Sequence, residues 1–192
     1  MDARLTAFLE QLYRQGREHD AGKEDRLERL RNVEPDTARL LAVLIRATQA
    51  RDVLEIGTSN GYSTIWLAEA TREGRVVSVE IEPERTEMAR ANLRDSGLEA
   101  RVELLTEDGA AVLERTPDAS LDFIFLDAER PAYTGYWPHL VRVLRPGGLL
   151  VVDNVISHAE QVAEFRALVE GDERVTEALV PTGAGALLVV KA

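Results

Sequence analysis

Val53-Leu54-Glu55-Ile56-Gly57-Thr58-Ser59-Asn60-Gly61-Tyr62-Ser63 is a short apolar run that leads into two closely spaced glycines. The run reads as a buried strand, because Val53, Leu54 and Ile56 are broken by a single acidic residue. The glycines read as a tight turn into a helix, since Gly57 and Gly61 can take backbone conformations closed to other residues and bring main chain close to a ligand. Ligands of open α/β sheets bind beyond the carboxyl ends of such strands. The spacing is G-x-x-x-G, not the G-x-G-x-x-G that sets a helix N-terminus against a pyrophosphate. Glu55, just before the first glycine, suits a cationic ligand better than a phosphate. Thr58, Ser59, Tyr62 and Ser63 complete the candidate ligand-binding turn, with plain structural punctuation as the alternative.

Working outward, strands are predicted at 52–56, 75–80, 101–105, 121–126 and 148–152. Helices are predicted at 61–71, 83–96, 109–115, 133–143 and 158–170, with Gly97 in a helix-ending position. Strand-helix alternation with apolar strands argues for a parallel sheet covered on both faces. The end differs: runs at 174–180 and 186–191 are joined by Pro181-Thr182-Gly183-Ala184-Gly185, too short for a crossover helix. They form an antiparallel hairpin, so the plan departs from the ordinary dinucleotide-binding sheet.

Upstream, Leu5, Phe8, Leu9, Leu12 and Tyr13 make the apolar stripe of a first helix. A charged, glycine-containing break at 16–22 precedes a shorter second helix carrying Leu27 and Leu30, and a third begins at Glu34-Pro35. We read one domain, with residues 1–32 as a helical extension and 33–192 as the core. The extension closes a site, builds a dimer interface, or simply caps the core.

The bulk numbers narrow the function. The 192 residues are 45% hydrophobic and 30% charged, with a net charge of −11 that argues against broad nucleic-acid binding. There is no cysteine, hence neither disulfide nor thiolate nucleophile, and with three histidines a zinc site is not expected. No run is long enough to cross a bilayer and the first residues lack the plan of a secretory leader, so a cytoplasmic protein is expected.

Acidic residues recur at strand ends. Glu80 closes the second strand, where a carboxylate can accept both hydroxyls of a ribose or merely face water. Asp108, before Gly109, is placed to accept from an adenine amino group or to cap the next helix. The fourth strand ends at Asp127 and the fifth at Asp153-Asn154. Two carboxylates and an amide oxygen form a hard-oxygen set suited to Mg²⁺, Mn²⁺ or Ca²⁺; a loop cap is the alternative at Asp153-Asn154.

Together these segments resemble the catechol and caffeoyl-CoA O-methyltransferase group, including its bacterial small-molecule relatives. The likeness is carried by residues 53–64, Glu80, Phe125-Leu126-Asp127-Ala128-Glu129-Arg130, Tyr133 and Tyr136. It continues through Leu144-Arg145-Pro146-Gly147-Gly148, Asp153-Asn154-Val155 and the closing 181–185 segment. The resemblance implies a three-layer, seven-stranded class I (Rossmann-like) methyltransferase fold. It implies S-adenosyl-L-methionine as methyl donor, bound by Glu55, Gly57, Thr58, Ser59, Gly61, Tyr62, Ser63, Glu80, Asp108, Gly109 and Asp127. It further implies a divalent metal on Asp127, Asp153 and Asn154, with Mg²⁺ expected first, a small phenolic or catechol-like acceptor, and a homodimer.

Two departures bear on mechanism. Members of the group commonly place lysine, a base toward the acceptor hydroxyl, where this chain has Arg130. Arginine stays protonated and cannot take that proton, so Arg130 is expected to hold an anionic oxygen or an acidic acceptor. His158 is the nearby titratable alternative as base, or a capping residue. Residues 155–160 also lack a glycine-rich aromatic stretch, which predicts a more open acceptor pocket lined by Tyr136 and Trp137, unless these are core. Two other functions fit the same residues. One is methylation of a hydroxylated tRNA base, using Arg14, Arg17, Arg26, Arg29 and Arg31 as a basic patch; the other is non-catalytic S-adenosylmethionine binding.

Overall fold

The structure, a computed structural model, describes residues 1–192. Its seven strands run β1 (Asp52–Ile56), β2 (Arg75–Glu80), β3 (Val102–Thr106), β4 (Leu121–Leu126), β5 (Leu144–Val152), β6 (Val175–Val180) and β7 (Ala186–Lys191). Seven α-helices accompany them: α1 (Ala3–Ala21), α2 (Pro35–Thr48), α3 (Tyr62–Ala70), α4 (Pro83–Ser96), α5 (Gly109–Arg115), α6 (Tyr133–Val143) and α7 (Ala163–Glu170). The sheet order is β3-β2-β1-β4-β5-β7-β6. The first five strands are parallel, and β7 runs antiparallel to both β5 and β6.

Alternation along each strand feeds two cores. Val53, Phe123, Phe125 and Val151 face α1, α2 and α3, where they meet Leu9, Leu41 and Ile65. Leu54, Ile56, Ile124, Leu126 and Val152 face α5, α6 and α7, against Leu113, Trp137, Leu140 and Phe165. Both faces of the central strands are therefore apolar, as a sheet covered on both sides requires.

Five boundaries differ from the sequence reading. The expected break at 16–22 does not exist: α1 continues to Ala21, and Gly16 extends the buried stripe of Leu5, Leu9 and Leu12. A Cβ on Gly16 would lie 2.4 Å from Asn32 Nδ2, so this glycine makes room for a returning segment and does not end the helix. The expected second helix is a single 3₁₀ turn, Arg26–Glu28, with Leu27 exposed and Leu30 buried. The chain there is held in extended form because Asp20 accepts the amides of Leu30 and Arg31 at 2.6 and 2.8 Å. The third strand begins one position late, at Val102, behind a 3₁₀ turn at Glu99–Arg101. β5 begins early, at Leu144, through its pairing with Leu121. The helix expected over 158–170 divides into a 3₁₀ turn, Ala159–Val162, and α7. No helix is long and apolar enough to cross a membrane.

Candidate active site

The parallel order places the chain just past five strand ends in a row. Glu107 N donates to Glu80 O at 3.0 Å, Gly57 N to Val79 O at 2.9 Å, Asp127 N to Ile56 O at 2.9 Å and Asp153 N to Leu126 O at 3.1 Å. Glu80, Gly57, Asp127 and Asp153 thus line one sheet edge, the edge where ligands of open α/β sheets bind. The cleft of about 430 Å³ between Asp2, Arg4, Glu69, Arg72, Asp95 and Arg101 lies away from them. It opens beside the amino ends of β2 and β3.

Gly57 has φ +108°, and a Cβ on it would sit 2.2 Å from the Asp127 carbonyl oxygen. Gly61 has φ +84°, and its missing Cβ admits Ala89 of α4. Both glycines therefore serve close protein contacts that shape the turn. Ser59 has φ 51° and gives its amide to Glu80 Oε2 at 2.8 Å. The other Glu80 oxygen accepts the amides of Ile81 and Glu82 at 3.0 and 3.1 Å, so this buried carboxylate is oriented by three backbone donors.

Glu55 does not reach the cleft. It is 0% exposed and accepts hydroxyl hydrogen bonds from Ser63, Thr64 and Ser78, each at 2.5 Å. Burial pushes its pKa up to about 7 even though the three hydroxyls pull it down. Thr58 extends the cage through Ser78 at 2.6 Å. Tyr62 is buried, with its ring 5.5 Å from that of Tyr13. Asp108 is exposed and caps α5 through the Ala110 amide at 2.6 Å, which leaves its second oxygen free. Gly109, behind it, lies where a Cβ would meet Ile56 and Tyr136.

At the ends of β4 and β5, Asp127, Asp153 and Asn154 come together. Asn154 takes φ 64° and directs Nδ2 to Asp127 Oδ1 at 3.1 Å and to Asp153 Oδ2 at 3.0 Å. Asp153 Oδ1 is sealed from solvent with no partner. Burial and the charge of Asp153 push Asp127 well above the usual carboxylate range, against the pull of Arg31 and Arg130. Burial also raises Asp153, opposed by the Asn154 backbone and Arg130. No three His, Cys, Asp or Glu side chains gather as a ligand set anywhere in the chain, and the candidate metal position rests on these two carboxylates and one amide. The segment after Asn154 is fixed from below by Val155 N to Gly185 O and Ile156 N to Ala184 O, both 3.1 Å.

Arg130 is 6% exposed beside these carboxylates, near enough to lower both their pKa values. His158 sits above, its pKa lowered by burial and then by Arg130, Arg26 and Arg31. Trp137 is core, edge-on to Phe165 at 5.7 Å, and Tyr136 is half-buried against α5. Of the N-terminal arginines, Arg26 and Arg31 both pair with Glu129 and Arg29 binds the Lys23 carbonyl, while Arg14 and Arg17 are exposed. Sequence reasoning missed Ser78 and Gln161, which carry no motif of their own, and gave Thr64 no role although it closes the 53–64 segment. It also missed the strap at 27–31, which Ser59 Oγ holds at Leu30 O (2.7 Å) and Arg85 at Leu27 O and Arg29 O.

A seven-stranded sheet with a reversed terminal hairpin, a glycine turn at β1 and acidic residues along one edge define a class I methyltransferase architecture. The model of the O-methyltransferase family matches residues 3–192, and the chain belongs to that family. Among its relatives, a catechol O-methyltransferase of Mycobacterium tuberculosis is 40% identical over 133 residues, which is 69% of this chain and 60% of that protein. A second catechol O-methyltransferase, of Niastella koreensis, is 36% identical over 137 residues, 69% of this chain and 62% of that protein. The aligned stretch thus spans less than two thirds of either relative. Among solved structures, the O-methyltransferase TomG of Streptomyces achromogenes, involved in tomaymycin synthesis and in complex with S-adenosylmethionine, superposes with TM-score 0.80. It is 30% identical, over 100% of this chain and 91% of that one.

Proposed function

We propose that this protein is an S-adenosylmethionine-dependent O-methyltransferase acting on a small phenolic or catechol-like acceptor with the help of a divalent cation. The observation that carries the reading is the meeting of Asp127, Asp153 and Asn154 beside the glycine turn, with Asp153 Oδ1 buried and unpartnered. The methyl donor's presence in the complex of TomG, at 30% identity across the whole chain, supports the cofactor.

In this reading Glu80, already oriented by three amides, presents its carboxylate to the ribose hydroxyls, and the free oxygen of Asp108 takes the adenine amino group. The backbone of Gly57, Thr58, Ser59 and Gly61 lines the donor's approach. Glu55 acts from behind, tying Ser63 and Thr64 of α3 to the strand end. Residues 1–32 serve as an extension over a single core of 33–192, and the assembly is a homodimer.

The donor set fits a hard divalent cation, Mg²⁺ first, because its oxygens are hard and one of them lacks any partner. Asn154 would turn its amide to offer oxygen in place of N–H. Such an ion, when bound, lowers the pKa of an acceptor hydroxyl and orients it. The chain's own part is to fix acceptor and donor near contact and to exclude water, since positioning supplies much of the rate and a dry site favours loss of the sulfonium charge. Arg130 cannot serve as base.

Calorimetric titration with S-adenosylmethionine, with Mg²⁺ or with EDTA, tests the reading. Saturable binding is expected in both; absence of binding would sink the assignment.

A further inference from the structure

We propose that Arg130 is a specificity-determining residue that receives a carboxylate carried by the aromatic acceptor, so that the preferred substrates are hydroxylated aryl acids. This rests on the methyltransferase reading above and names the substrate class of the same site.

Arg130 is a buried cation without an ion pair. It is 6% exposed, and no carboxylate oxygen lies within ion-pair distance of it, in contrast to Arg26 and Arg31, which both close on Glu129. Its Nε is sealed from solvent with no partner, and its Nη1 has one long contact, 3.4 Å, with Gln161 Oε1. Nη2 makes no hydrogen bond and is not among the sealed polar atoms, so it is the nitrogen that reaches solvent. A guanidinium desolvated to this degree is ordinarily neutralised by a carboxylate in bidentate geometry. Here the one group within hydrogen-bond distance is a neutral amide.

The surroundings say what would complete it. Asp127 and Asp153 are near enough to feel the guanidinium, yet they face Asn154 and the candidate metal position. His158, also within reach of the Arg130 charge, has its cationic form disfavoured by burial and by Arg130, Arg26 and Arg31, so it adds no second cation to compete for an anionic ligand. Of the other acids nearby, Glu129 is paired with Arg26 and Arg31, Glu55 is enclosed by three hydroxyls, and Glu34, whose charge reaches Asp153, has its Oε2 occupied by the Tyr13 hydroxyl at 2.5 Å. An aryl acid fits this arrangement, with its hydroxyls toward Asp127 and Asp153 and its carboxylate on the open side of Arg130. Lysine at this position would offer a point charge; arginine offers a planar fork matched to a carboxylate.

The test compares methyl transfer by the full-length enzyme with Mg²⁺ to three vicinal diols: a dihydroxybenzoate, a neutral methylcatechol and a cationic catecholamine. We expect kcat/KM to be highest for the dihydroxybenzoate, with the difference lying in KM. In Arg130→Gln the loss should be roughly ten- to a hundred-fold greater for the dihydroxybenzoate than for the methylcatechol, as for a desolvated charge-assisted pair. Gln161→Glu, which gives Arg130 a carboxylate within the protein, should produce the same selective rise in KM, and Arg130→Lys should restore part of the preference. Equal losses on all three acceptors, or a wild-type preference for the neutral or cationic diol, would overturn the proposal while leaving the methyltransferase reading intact. Failure of the wild-type enzyme to methylate any of the three, despite binding S-adenosylmethionine, would instead count against the acceptor class as a whole.

Discussion

Asn154 Nδ2 lies 3.1 Å from Asp127 Oδ1, so that an amide at the end of β5 bridges to a carboxylate at the end of β4. The same N–H₂ group reaches Asp153. An amide donor between a buried and a half-buried acid stands where a cation would relieve their repulsion. Mg²⁺ at a hundred-fold excess over its Kd should therefore stabilise the fold by about 2.7 kcal/mol, a rise in Tm of roughly 5–10 °C. Thermal melts with Mg²⁺ and with EDTA check this. The shift should vanish in Asp153→Asn, and a wild-type Tm indifferent to Mg²⁺ would count against the centre.

Glu55 gives a pH signature. Its folded pKa, near 7, exceeds the unfolded carboxylate value, so its contribution is fully present below about 4.5 and is lost as pH rises through 7. The wild-type unfolding free energy should fall by roughly 3 kcal/mol between pH 5 and pH 8 from this group. Glu55→Gln keeps partners for the hydroxyls of Ser63, Thr64 and Ser78 and should flatten that fall. Urea melts at the two pH values decide it; parallel profiles for the two proteins would show that the cage holds an ordinary carboxylate.

Two glycines separate crowding from backbone strain. Gly57→Ala drives a Cβ into the Asp127 carbonyl at 2.2 Å, whereas a Cβ on Gly97, also at positive φ (+77°), meets nothing within 4 Å. We expect Gly97→Ala to cost roughly 1–2 kcal/mol and Gly57→Ala more than about 3 kcal/mol, with loss of S-adenosylmethionine binding. Equal costs in denaturant melts would mean that the contact between β1 and β4 relaxes freely.

The strap at 27–31 hangs on few bonds. Arg85→Ala removes its ties to Leu27 O and Arg29 O, and Ser59→Ala removes the one to Leu30 O. Amide exchange in this segment should rise about ten-fold or more in Arg85→Ala, since a hydrogen bond to a charged group contributes about 1.5–3 kcal/mol, and less in Ser59→Ala, where the lost bond is neutral and contributes about 0.5–1.5 kcal/mol. S-adenosylmethionine affinity should fall with it. Unchanged exchange would show that Asp20 alone fixes the segment.

Much of this arrangement was legible in the residues, and the exceptions share a cause. β1, β2, β4, α4, α5 and α6 could be bounded from apolar runs and capping residues because local signals and burial agree there. The convergence of Asp127 with Asp153-Asn154 followed from parallel order alone. Gly16 misled because its reason for being glycine is Asn32, remote until the chain folds back. Glu55 was placed in the cleft because its hydroxyl cage draws on α3 and β2 as well as its own strand, and isolated serines and threonines announce nothing. Arg130 could be singled out as unusual, but its lack of a counter-charge is a property of the packed site.

The most direct test of the central claim is transfer of labelled methyl from S-adenosylmethionine to a vicinal aromatic diol, with Mg²⁺ and after EDTA. We expect transfer that EDTA abolishes, that Mg²⁺ restores, and that Asp153→Asn lacks while still binding the donor. Transfer undiminished by EDTA and by Asp153→Asn would contradict the role given to Asp127, Asp153 and Asn154.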